Sequence, residues 1–120
     1  MKHIKTFENN KDVPKEGDYV LINATSDIYT GFKVNEFINY INNHIGKVVS
    51  KTWDYDHNDI RVIYEDMTYK EDKEIGTWFG YYKDGDKFIH SKDFKYSQVK
   101  FYHKNKDYLE QMLNVQKFNL

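Results

Sequence analysis

Apolar and polar positions alternate along this chain with two different periods, and the change of period separates strands from helices. Residues 18 to 22 (DYVLI) are a short, largely apolar run between Gly17 and Asn23, which is typical of a strand buried on both faces. Residues 33 to 46 (KVNEFINYINNHIG) instead repeat apolar side chains at helical spacing. They predict an amphipathic helix over about 34 to 45, ended by Gly46 in the left-handed conformation.

Two hairpins are predicted in the middle of the chain. Residues 60 to 65 alternate as a half-buried strand, and the turn-rich segment before them connects this strand to a first one at residues 47 to 53. Residues 66 to 76 (DMTYKEDKEIG) are charged and predict a surface loop. The aromatic runs at 77 to 82 and 87 to 90 flank Asp-Gly, which favours a tight hairpin turn.

The last third of the chain predicts one more strand and a helix. Residues 97 to 102 have strand character, and Asn105 is placed to cap a helix over about 105 to 114. The apolar side chains of that helix share one face. They are Tyr108, Leu109, Met112 and Leu113.

These elements predict a mainly β (α+β) fold, arranged as a small, partly open barrel or a rolled antiparallel sheet with one inserted and one C-terminal helix. Residues 1 to 16, which contain the only proline, are interpreted as an N-terminal arm, and residues 17 to 120 as a single β-rich domain. The core prediction rests on the apolar strand faces. It names Leu21, Val49, Val62 and Phe101.

Two resemblances add to this pattern. Residues 16 to 22 (EGDYVLI), 45 to 49 (IGKVV) and 60 to 66 (IRVIYED) are similar in strand-and-turn rhythm to SH3-like small barrels, over about half of the chain. The whole chain also resembles small uncharacterised proteins of bacterial viruses and environmental viral sequences, through residues 1 to 8, GDYV, NHIGK and residues 97 to 120. The second resemblance implies a viral setting, with the host cytoplasm as the location, and no particular activity.

Composition narrows the functional classes. Aromatic residues make up 18% of the chain, which favours strands and interfaces. The chain has no cysteine and no apolar run of transmembrane length, so we expect a cytoplasmic protein that is not in the membrane. The 18 basic and 19 acidic residues are interspersed, so duplex DNA is an unfavourable partner.

One segment has the oxygen-ligand spacing of a calcium loop. Asp54, Asp56, Asn58 and Glu65 stand at the first, third, fifth and twelfth positions, but Asp59 replaces the glycine that the sharp turn needs. No helical pattern flanks the segment. A plain hairpin turn is therefore the favoured interpretation, and these four residues are the only metal ligands the sequence suggests.

Catalytic chemistry has little support in the sequence. His90 is the one acid–base candidate, because Ser91 and Asp93 follow it, yet neighbouring residues of a strand point to opposite faces. The glycines form no phosphate-binding loop, so no cofactor is predicted. A small hydrolase that uses His90 stays open as a minor alternative to a non-enzymatic role.

The strongest functional feature is aromatic density. If residues 77 to 82 are a strand, Trp78 and Tyr82 lie on one face and Tyr81 on the other, so one set is exposed unless the sheet covers one face and a helix the other. This favours a module that binds a protein, acting as an accessory or inhibitor. The alternative is a nucleotide or single-stranded nucleic-acid binder with stacking aromatics and phosphate-binding lysines. The candidate binding residues are Trp53, Tyr55, Trp78, Tyr81, Tyr82, Lys83 and Lys92.

Overall fold

The computed structural model describes residues 13 to 50 and 59 to 118. Six strands and three helices follow one another along these residues, with short 3-10 turns at Gly76–Trp78 and Tyr96–Gln98. The elements are β1 (Tyr19–Ile22), α1 (Val34–Asn43), β2 (Gly46–Val49), β3 (Asp59–Tyr64), α2 (Tyr69–Ile75), β4 (Gly80–Asp84), β5 (Lys87–Lys95), β6 (Val99–His103) and α3 (Lys106–Phe118).

All six strands belong to one antiparallel sheet in the order β4-β5-β3-β2-β1-β6. The predicted mainly β, α+β class is confirmed. The sheet is not closed into a barrel, because β4 and β6 form separate edges in the described part of the chain. The chain returns late to its first strand: Tyr19 of β1 pairs with His103 of β6.

One face of the sheet packs against α1 and α2 and forms the main core. Val48 of β2 lies opposite Val62 of β3, which has no exposed surface, and Phe37 and Ile41 of α1 are also fully buried. The helical stripe predicted for α1 therefore faces the sheet. Buried residues of this core are Val20, Ile22, Ala24, Phe37, Tyr40, Ile41, Val48, Ile60, Val62, Tyr64, Ile75, Phe79, Phe94, Val99 and Tyr102.

The opposite face is covered near β1 and β6. Leu21 is buried although its neighbours Val20 and Ile22 point into the main core. Helix α3 contacts β1 and β6, and its Leu109 and Leu113 are buried outside the main core cluster. This explains why β1 is apolar on both faces, as the sequence predicts. The cap prediction for α3 is also confirmed, since Asn105 Oδ1 accepts a hydrogen bond from the Asp107 N–H at 2.9 Å.

The structure corrects several sequence-based expectations. Residues 69 to 75, predicted as loop, form helix α2, which begins with a capping box between Thr68 and Glu71. Thr77 and Trp78, predicted as the start of a strand, belong to the 3-10 turn Gly76–Trp78, so β4 begins only at Gly80. Val49 and Phe101 are half-buried, unlike Leu21 and Val62, because both lie on the sheet face that α3 covers only in part.

Gly46 does not end α1 in a left-handed conformation; it is the first residue of β2 and has no positive φ. The helix ends at Asn43, followed by His44 in extended backbone. A side chain at Gly46 would collide with Cγ1 of Val62 and come within 3.1 Å of the Tyr64 ring. Glycine is therefore required here because the core side chains of β3 lie directly over the β2 backbone.

Candidate functional site

Among the described residues, two neighbouring exposed aromatic side chains lie on the hairpin of β4 and β5, hereafter the β4-β5 hairpin. Its turn is Gly85-Asp86, in which Gly85 has φ of 62°. A positive φ at the first position of a two-residue turn matches the twist of the flanking strands, as in type II′ hairpins. The predicted tight turn is confirmed, and the register runs from Asp84 opposite Lys87 to Gly80 opposite Ser91.

Two aromatic side chains of the β4-β5 hairpin are exposed side by side. Tyr81 is 60% exposed and Phe88 is 65% exposed, and their rings meet edge to face with centroids 6.4 Å apart. Tyr81 also contacts the ring of His90, its partner across the ladder, at 5.2 Å. The hairpin thus presents aromatic area on the same sheet face as the core, beyond the part that α1 and α2 cover.

Trp78, in contrast, is partly buried and packs against the main core. Its indole ring stacks on Phe37 of α1 with centroids 4.5 Å apart and planes 9° from parallel, and it meets Tyr29 edge to face. The indole N–H donates to the carbonyl oxygen of Phe32 at 2.8 Å. The expectation that Trp78 and Tyr82 share a strand face does not apply, because Trp78 lies in the 3-10 turn before β4.

Lys92 enters the core face of β5 and is held by three aromatic rings. Its Nζ lies 5.5 to 6.0 Å from the ring centroids of Tyr29, Phe37 and Trp78. The same ammonium donates to the carbonyl oxygen of Trp78 at 3.0 Å. Burial lowers the pKa of Lys92 below its ordinary value, with Asp93 acting weakly in the other direction. The structure therefore brings together Trp78 and Lys92, two predicted ligand-binding residues, but they contact each other.

The hydroxyl of Tyr29 completes this arrangement by accepting a hydrogen bond from Gln98 Nε2 at 2.7 Å. Burial raises the pKa of the Tyr29 phenol. Neither Tyr29 nor Gln98 was identified from the sequence as part of the site. No local signal exists for them, because Tyr29 and Gln98 are far apart in the sequence and meet only in the folded chain.

His90 is not part of a Ser-His-Asp arrangement. Its Nε2 lies 2.7 Å from Oδ1 of Asp72 on α2, and the ionised carboxylate can only accept that hydrogen bond. Ser91 is buried on the opposite face of β5, and Asp93 is bonded to Arg61 at 2.9 and 3.3 Å. The three residues that suggested acid–base chemistry are therefore held apart, each with a different neighbour.

Of the remaining predicted site residues, the structure describes Lys83, Tyr82 and Glu65 but not the others. Lys83 is exposed on β4 and Tyr82 is half-buried beside Ile89. Glu65 is exposed after β3, and no group of three or more acidic or histidine side chains in the described residues could hold a metal ion. Trp53, Tyr55, Asp54, Asp56 and Asn58 lie outside the described residues.

A concave region lies between α1, the end of β3 and α3. It has a volume of about 410 Å³, and both Tyr64 and the Lys106–Asp66 ion pair (3.5 Å) lie on its wall. The Tyr64 hydroxyl is buried and has no hydrogen-bond partner among the described residues, and burial raises its pKa well above the ordinary value. Because that hydroxyl is closed to solvent, a ligand in the cavity would not reach it without side-chain movement.

Phe88 was also missed as a site residue. It lies in the run at 87 to 90 that the sequence predicts as a strand. Because Phe88 and Ile89 point to opposite faces of that strand, alternation could have placed Phe88 on the same face as Tyr81.

No helix among residues 13 to 50 and 59 to 118 combines the length and the apolar character that crossing a membrane requires. Comparisons with protein-family models, curated proteins and solved structures found no match to this chain.

Proposed function

We propose that this chain is a non-enzymatic, protein-binding module whose contact surface is the β4-β5 hairpin. The observation that carries the proposal is the exposure of Tyr81 and Phe88 beside each other on an edge hairpin with a fixed turn. Large aromatic side chains are the most frequent energetic anchors of protein interfaces. A hairpin held in one register presents them without a large cost in conformational entropy.

The neighbouring chemistry supports binding more than catalysis. His90, which contacts the Tyr81 ring, bonds Asp72, and Lys92 bonds the Trp78 carbonyl, so the acid–base candidate and one of the two candidate phosphate-binding lysines are already engaged inside the chain. The exposed charges on the hairpin are of both signs, which suits the polar rim of a protein interface better than a phosphate-binding groove.

The resemblances noted in the sequence support the biological setting of this proposal. The likeness to small proteins of bacterial viruses favours an accessory or host-modulating protein that acts in the cytoplasm of the infected cell. The SH3-like rhythm of β1, β2 and β3 favours the same class of function, since small β domains of that kind serve as protein-binding modules.

Affinity capture followed by mass spectrometry tests the proposal, with the wild-type chain and two variants as bait. We expect Tyr81→Ala and Phe88→Ala to weaken binding of a captured protein by roughly 2 kcal/mol or more, measured by calorimetry with the purified partner. Both variants should keep the melting temperature of the wild type, because these side chains are exposed.

Phe32→Ala is the matched control, since Phe32 is also a large exposed aromatic residue but lies in the segment before α1 and is not part of the hairpin. Its side chain can be removed without touching the carbonyl that Trp78 uses. Equal loss of binding in Phe32→Ala and Tyr81→Ala, or no loss in either hairpin variant, would contradict the proposal.

A further inference from the structure

The two-residue turn of the β4-β5 hairpin determines which backbone groups of β4 are free. Asp84 and Lys87 flank Gly85-Asp86 and lie opposite each other. In a two-residue hairpin, this closing pair exchanges both backbone hydrogen bonds. The hydrogen-bonded positions then alternate along the ladder away from the turn.

It follows that Tyr82 and Gly80 direct their N–H and C=O groups toward β5, whereas Tyr81 and Lys83 direct theirs to the outer edge of β4. In the described part of the chain β4 ends the sheet order, and no strand pairs with that edge. An edge with unpaired donors and acceptors and exposed aromatic side chains is a template for another strand.

We propose that a second copy of this chain occupies the edge, with the two β4 strands antiparallel and the two-fold axis at Tyr82. Tyr81 of each copy then lies opposite Lys83 of the other, and these are the residues whose backbone groups point outward. Each such pair exchanges two backbone hydrogen bonds, and the six-stranded sheet continues across the axis into its copy.

The side chains complement one another in this register on both faces. On one face Tyr82 meets Tyr82 of the second copy, and each is flanked by Ile89, its neighbour on β5. On the other face the Lys83 ammonium lies between Phe88 of its own chain and Tyr81 of the second copy, where it can interact with both rings. Gly80 lies opposite Asp84, so no like charges oppose each other.

The neighbouring registers are worse. An axis at Lys83 places two lysines directly opposite each other, which is destabilising. An axis at Tyr81 places Lys83 opposite Phe79, a buried core residue that precedes the strand. Complementarity therefore selects Tyr82 as the centre.

This inference rests on the proposed function, because it names a second copy as a partner of the same hairpin. A strand of five residues forms a small interface, well below the area of a standard stable complex, so association should depend on concentration. The purified chain alone is sufficient for the test.

In sedimentation equilibrium, the weight-average mass should rise from 14.5 kDa toward twice that value as the protein concentration is raised from about 10 µM to 1 mM. Lys83→Glu should keep the mass at the monomer value, because it removes the cation between the two rings. Lys70→Glu, the same change of charge at an exposed position on α2, should associate as the wild type does. Melting curves of the three proteins confirm that each is folded.

Cysteine cross-linking tests the register directly, because the chain has no cysteine of its own. At the two-fold axis, a non-hydrogen-bonded pair brings the two Cα atoms to about 4.5 Å, within the range of a disulfide. Tyr82→Cys should therefore form a covalent dimer under mild oxidation much faster than Asp84→Cys, whose copies lie apart in this register.

A constant monomer mass up to the highest concentration, or equal cross-linking of Tyr82→Cys and Asp84→Cys, would overturn the inference. The proposed function is judged by a different measurement, the capture experiment with Tyr81→Ala. If the chain is monomeric and that variant still loses a captured protein, the hairpin binds a different chain. If the chain dimerises and no hairpin variant loses a captured protein, self-association is the whole role of this edge.

Discussion

The indole ring of Trp78 and the phenyl ring of Phe37 are stacked face to face, 4.5 Å apart at their centroids. Trp78 lies in the turn before β4 and Phe37 lies in α1, so the stack joins the start of the β4-β5 hairpin to helix α1. The run of aromatic residues at 78 to 82 is therefore divided: its first member stabilises the fold, and Tyr81 is available to a partner.

The division predicts different costs for the two side chains. Trp78→Ala should lower the free energy of unfolding by about 3 to 5 kcal/mol, as truncation of a packed aromatic residue does. Tyr81→Ala should change it by no more than about 0.5 kcal/mol, because the side chain is largely exposed. Urea unfolding followed by circular dichroism measures both. Equal costs would show that Trp78 is not part of the core or that Tyr81 is.

The close approach of β3 over Gly46 predicts an overpacking effect. Gly46→Ala should destabilise the fold by about 1 to 3 kcal/mol, because the new methyl group meets Cγ1 of Val62. The double variant with Val62→Ala should lose less free energy of unfolding than the two single variants lose together. A double-mutant cycle in urea measures this coupling. Strict additivity would mean that the methyl group is accommodated elsewhere, for instance by movement of the Tyr64 ring.

Helix α2 depends on its capping box. The Glu71 N–H donates to Thr68 Oγ1 at 3.1 Å, and the Thr68 N–H donates to Glu71 Oε1 at 2.8 Å. Thr68→Ala should therefore cost about 1 kcal/mol of stability. Thr30→Ala, at an exposed position outside the helices, is the control and should cost little. A similar melting temperature for both variants would indicate that the cap contributes nothing.

The half-buried ammonium of Lys92 predicts a specific pH dependence. Its folded-state pKa lies below that of the unfolded chain, so the unfolded state binds more protons between the two values and stability should rise with pH there. The rise begins at the lowered folded pKa and ends near 10.5, the ordinary value.

Burial raises the pKa of Tyr29 and Tyr64, and this acts in the opposite sense: stability from these phenols is lost as the pH passes above about 10. Lys92→Met retains the tyrosines and removes the lysine. The stability difference between wild type and Lys92→Met, measured by urea unfolding from pH 8 to 11, should therefore shift in favour of the wild type as the pH rises. A difference that is constant with pH would contradict the assignment.

Much of the fold follows from local patterns. Residues 18 to 22, the helical stripe of α1 and the Asn105 cap of α3 were all identifiable because burial and capping act within a few residues. Helix α2 was missed because its charged composition masked the Thr68-x-x-Glu71 cap, which is a recognisable helix start.

The candidate site was less accessible to sequence reasoning. The sequence predicts strand alternation from Thr77, but the 3-10 turn at Gly76–Trp78 shifts the start of β4 and packs Trp78 against the core. The surroundings of Lys92 combine the rings of Tyr29 and Phe37 with that of Trp78, which is far from both in the sequence, and no local pattern predicts that encounter.

The pairing of β1 with β6 has a consequence for how the chain folds during synthesis. Strands β2 to β5 are neighbours through local connections, and these pairings can form as soon as the segments leave the ribosome. Strand β1 emerges first, yet one edge of it stays open until Val99–His103 has been made. The nascent chain therefore exposes a strongly apolar strand for most of its translation, and completion of the sheet is a late, non-local event that sets the risk of aggregation.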